Sequence, residues 1–180
     1  MSDQELSASE WELAWHTRLE VATRTPFLGL TPGRDPDCLV GEAVYDSLAV
    51  YTALHSLAAG ITADSALVPT LLPALMCARR LLALRTSWTG YCNERFGLDP
   101  AVSDARSEMS RQYVAGDDVR GWPQFDEAKA AHGEAAAAVG AFVQVLEHLR
   151  ACHAEAGGTD AAKPGLRERP ALRLVSGLDT

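Results

Sequence analysis

Proline and glycine fall in clusters along this chain, and between the clusters apolar residues recur every three or four positions. From Thr25 to Asp37 come Pro26, Gly29, Pro32, Gly33 and Pro36; further on come Gly60, Gly97 to Pro100, Gly116 to Pro123, and Gly157-Gly158. Proline removes a backbone donor and glycine frees φ, so such clusters end helices. The stretches left between them are too long for single strands and show no sustained alternation, which leaves the helical period as the one that can be buried. They predict helices over residues 8–24, 38–59, 70–96, 100–115 and 124–156. The expected fold class is all-α, an up-and-down bundle of four to five helices, because short links favour antiparallel neighbours. Residues 1–157 are expected to form a single domain, with 158–180 as a C-terminal tail.

Local signals support these limits. Ser7-Ala8-Ser9-Glu10 has the capping-box form, in which the hydroxyl and carboxylate satisfy each other's free N–H groups. Trp11, Trp15, Leu19 and Ala22 then make an apolar stripe. The second segment carries Val40, Val44, Leu48, Tyr51, Leu54 and Ala58 at helical spacing, with Gly60 as its stop. A third stripe, Leu71, Leu72, Leu75, Met76 and Leu82, has Arg79 near its middle. The last helix aligns His132 with Ala128, Ala135, Val139, Phe142 and Leu146.

Composition removes several classes of function. With 180 residues, 47% of them hydrophobic, the chain can build a core without disulfides or metal. Its formal charge of -8 and scattered basic residues argue against nucleic acid and against anionic membrane surfaces, since both require clustered positive charge. No apolar run is long enough to span a bilayer, and the acidic start MSDQELSASE does not read as a signal peptide. Cys38, Cys77, Cys92 and Cys152 are widely spaced and form no metal-binding or redox pair, as in a cytoplasmic protein with reduced thiols. The counts of 30 Ala and 14 Arg against 2 Lys, one Ile and one Asn are those of a high-GC genome, such as an actinobacterial one.

Candidate chemistry centres on polar residues placed on core faces. Arg79 cannot shed its charge, so among leucines it needs water, a carboxylate or a bound anion. At about 1.5 Å per residue, Tyr51, Arg79 and His132 come to one level of the bundle, with His55 one turn lower. Glu12, at the edge of the first stripe, is the candidate counter-ion. Together Arg79, Tyr51, His55, His132 and Glu12 could line a small pocket for an anionic ligand, with a histidine as acid or base. The competing reading is a buried hydrogen-bond network that fixes helix register. No helix carries Glu-x-x-His, Glu42 and Asp46 fall on a polar side, and His148, Cys152 and His153 diverge, so no metal or other cofactor is expected.

Two short elements remain. Trp88-Thr89-Gly90 and Tyr113 with Asp117 have the W-x-G and Y-x-x-x-D forms. They resemble elements of the small helical substrates of type VII secretion, in which W-x-G lies in the turn of a helical hairpin. Without that resemblance the two aromatics read as core residues near helix ends. The tail offers Pro170 to Leu178, a short apolar motif on a tether, in the manner of a docking peptide. The leading functional reading is a non-catalytic helical accessory or interaction protein whose partner is another protein or a second copy. The alternative is a small-molecule-binding protein or enzyme of specialised metabolism with its pocket inside the bundle.

Overall fold

In the computed structural model the described residues are 33–160. Asp35 accepts a hydrogen bond from the backbone N–H of Asp37 at 3.0 Å, and Pro36 leads the turn, so α1 (Pro36–Gly60) starts on a capped end. The chain turns through 61–67 into α2 (Val68–Phe96). Pro69 sits in its first turn and Pro73 one turn later, where little helix precedes it to be disrupted. At the far end Gly97 adopts φ 62° and the Leu98 N–H reaches back to the Asn93 carbonyl at 2.8 Å, which closes α2. Two short helices follow, α3 (Ala105–Gln112) and α4 (Gly116–Arg120), before α5 (Phe125–Asp160). Among the described residues there is no strand, and no helix is long and apolar enough to cross a membrane.

The three long helices carry the fold. α2 packs against both α1 and α5, and α3 and α4 close one end over α1. Ser87 bonds Gln124 at 2.7 Å and Arg80 pairs with Glu134, so sequence number rises along α5 as it falls along α2, and the two run antiparallel. The core is built from Leu54, Leu57, Leu71, Leu81, Val139, Phe142 and Leu146, with the small residues Ala74, Ala78, Ala131 and Ala135 interleaved. At the end capped by α3 and α4, Trp88 and Trp122 meet edge to face with centroids 5.1 Å apart.

The expected all-α bundle is found, with four differences of detail. The helix expected at 100–115 is shorter, because the Asp104 side chain caps the Ser107 N–H at 2.7 Å and starts α3 there. The loop expected after Gly116 contains α4. Gly157-Gly158 does not end α5, since a glycine pair permits a left-handed stop without enforcing one. The packed face of α2 is Leu71, Ala74, Ala78, Leu81 and Trp88; Leu72 and Met76, expected inside, are 47% and 68% exposed. Alanines that let neighbouring helices approach weigh little in an apolar stripe drawn from leucines, so the sequence reading rotated α2. The helix expected at 8–24 and the tail from 161 onward lie outside the described residues.

Candidate functional site: an acidic cleft at one end of the bundle

The cleft begins with a buried arginine. Arg111, on α3, is only 4% exposed. Its Nε donates to Asn93 Oδ1 at 2.8 Å and one terminal nitrogen to Glu108 Oε1 at 2.9 Å; the other bonds the Asp99 and Val102 carbonyls at 3.1 and 3.2 Å. A charged fork with every arm occupied ties the connection 97–104 to α2 and α3. The Trp88 indole N–H donates to the Arg111 carbonyl at 2.9 Å, so the core and this connection share one anchor.

Glu108 extends the network. It accepts from the Tyr45 hydroxyl and from Ser103, and those bonds hold its carboxyl below the usual carboxylate range. Burial, with the Glu108 carboxylate facing it, pushes the Tyr45 phenol up to about 12. Neither group is placed to exchange a proton near neutral pH. Their chemistry is that of a fixed hydrogen bond, which holds α3 against α1.

Outside this anchor the surface opens into a cleft of about 540 Å³ between the end of α2, the connection 97–104, α3 and the start of α4. Phe96, Leu98, Val102, Tyr113 and Val114 supply apolar wall; Asp99, Asp104 and Asp118 supply carboxylates and Arg106 a guanidinium. Backbone N–H bonds at the start of α3 hold the Asp104 carboxyl low, so it stays ionised at neutral pH. Asp118 is held by Arg95 at 2.8 Å. Phe96, Val102 and Tyr113 are exposed, Tyr113 to 55%, and they put apolar surface at the mouth of an acidic opening. Such a surface can grip an apolar segment carrying positive charge.

A second charged cluster sits at the start of α1. Asp37 is buried and accepts from Arg120 of α4 at 2.6 Å and Lys129 of α5 at 2.9 Å. Those two bonds hold its carboxyl low, and Arg120 also holds Asp35 and Asp117. Nearby in sequence, Glu42 is 4% exposed and paired with Arg34. Both acids look like surface residues in sequence, where Glu42 falls on a polar side. They are buried because basic partners 8 to 92 positions away in sequence come to them. Among the described residues no three His, Cys, Asp or Glu side chains are grouped to hold a metal.

The residues singled out from sequence do not come together as one buried layer. Arg79 and His55 are exposed; Tyr51 and His132 are half-buried, and the Tyr51 and His55 rings lie 5.6 Å apart on the same helix. Glu12 lies outside the described residues. Arg79 follows the exposed Leu72 and Met76 on the outer side of α2, which is why it escapes the core. None of the four described ones lines the cleft. Trp88 is the core aromatic expected, and it lies within the continuous helix α2 rather than in a hairpin turn; Tyr113 is exposed, contrary to expectation. The cleft was missed because its walls come from a connection whose shape depends on Arg111, and no sequence spacing announces that. No family model, curated protein or solved structure matches this chain.

Proposed function

We propose that this protein is a non-catalytic helical interaction protein that holds a basic, apolar protein segment in the cleft between α2 and α3. The observation that carries the reading is the exposed apolar surface of Phe96, Val102 and Tyr113 set on an opening with three carboxylates and one guanidinium. Large apolar side chains grouped on a surface and edged by charge are the usual mark of a protein contact. The groups that are firmly held, Arg111, Glu108 and Tyr45, shape the cleft without offering an acid or base poised near neutral pH. The separated cysteines, all unpaired in the fold, and the Ala- and Arg-rich composition support a place in the cytoplasm of a high-GC bacterium.

The test is an array of short peptides that combine Leu or Val with Arg or Lys, with matched acidic peptides as controls, probed with the full-length protein. Retention on the basic apolar peptides is expected. It should be lost on the double substitution Val102→Asp, Tyr113→Asp, which leaves the helical circular dichroism unchanged because both side chains are exposed. Equal retention by the parent and the variant, or none by either, would end the reading.

A further inference from the structure

We propose that the acidic cleft receives the tail segment Arg167–Val175 of a second copy of this chain, linking copies head to tail. The proposal rests on the cleft being a peptide-binding surface and names what fills it. Between Lys163 and Val175 the chain carries Lys163, Arg167, Arg169 and Arg173 against one carboxylate, Glu168, with Leu166, Leu172, Leu174 and Val175 among them. That is the complement of the cleft, where Asp99 and Asp104, with Asp118 shared with Arg95, are lined up with one Arg106 and with apolar wall. Alternate side chains of an extended segment point to opposite sides, so Leu172 and Leu174 can enter the apolar wall together while Arg173 turns to the carboxylates at the rim.

Reach decides between the chain's own tail and another's. α5 is 36 residues long and runs antiparallel to α2, so its end at Asp160 lies about 54 Å from its start. The cleft lies beyond that start, because Ser87 is level with Gln124 and Phe96 is nine residues further along α2, or about 13 Å. Leu172 is twelve residues past Asp160, and fully extended chain spans at most about 43 Å over that distance. The segment falls short of its own cleft by roughly 20 Å. A neighbouring molecule meets no such limit. The contact joins two different surfaces, so a pair of copies keeps one free tail and one free cleft between them, and association continues past the dimer.

Sedimentation equilibrium of the full-length protein from about 10 µM to about 1 mM reads the association directly. The average mass is expected to rise steadily with concentration and to fall back at high salt, which screens the carboxylate–guanidinium contacts. Leu172→Asp with Leu174→Asp in the tail, and Val102→Asp with Tyr113→Asp in the cleft, should each give a monomer throughout. An equimolar mixture of these two variants should stop at a dimer, because only one intact tail and one intact cleft remain. An excess of synthetic peptide covering residues 163–178 should return the parent to monomer without any change to the fold. A parent that stays monomeric, a tail variant that associates as the parent does, or a mixture that forms no dimer overturns the assignment. If array peptides still bind the cleft in that case, only the identity of the occupant falls; if they do not, the peptide-binding reading falls with it.

Discussion

A methyl group added at Gly41 would stand 2.8 Å from two carbons of the Trp88 ring, closer than side chains pack. The ring has little freedom to retreat, because it meets Trp122 edge to face and its N–H is held by the Arg111 carbonyl. Gly41→Ala should therefore cost about 1–3 kcal/mol in urea unfolding, the usual penalty of overpacking, despite the better helix propensity of alanine. The two arginines that stand out in this chain should behave in opposite ways. Arg111→Ala removes a fully bonded buried guanidinium and takes a bond from each of Glu108, the Asn93 side chain and the Asp99 and Val102 carbonyls, at about 3–5 kcal/mol. Arg79→Ala, on an exposed site, should stay within about 0.5 kcal/mol of the parent. If the two losses were found reversed, Arg79 would have to be placed in the core and the packed face of α2 reassigned.

Elements are joined in this molecule by charge as well as by leucine. Asp37 links the start of α1 to α4 through Arg120 and to α5 through Lys129, and both contacts lower its pKa from the ordinary 3.8. A carboxyl whose folded pKa is depressed stabilises the fold above its unfolded value, and that contribution disappears as pH falls through the folded value. Unfolding stability should thus decline below about pH 4, and Asp37→Asn should make the decline shallower while lowering stability at neutral pH. A parallel decline in both proteins would assign acid sensitivity to other carboxylates. The ends of the elements show how far sequence reads at this scale. The Gly97 stop of α2 was legible because a glycine cap is local, whereas the Asp35-Pro36 start of α1 was not, since Pro36 reads equally as the end of the breaker cluster before it. The start of α3 at Asp104 and the passage of α5 through Gly157-Gly158 were not, since each position permits more than one local solution and the packed surroundings choose.

At the largest scale, among the described residues, three long helices hold the core and two short ones close its end over the paired tryptophans. Among the described residues the buried core reaches no further than Leu146. Cutting the chain after Gly158 should accordingly leave the melting temperature nearly unchanged, while removing the concentration-dependent association expected of the tail. A fall of many degrees would mean that Leu172, Leu174 and Val175 support the bundle of their own chain. By itself the sequence determined the helical class, the approximate extents of the long helices and the apolar face of α5, because period and breakers act within a few residues; the stripe expected on α1 fails at Leu48, which is 47% exposed. Only the tertiary structure decided which face of α2 is packed, that Asp37, Glu42 and Arg111 are buried, and that the connection 97–104 opens a cleft. Burial of a charge depends on partners brought from distant parts of the chain, as Lys129 is to Asp37, and the turn of a helix about its axis depends on what its neighbours can accept.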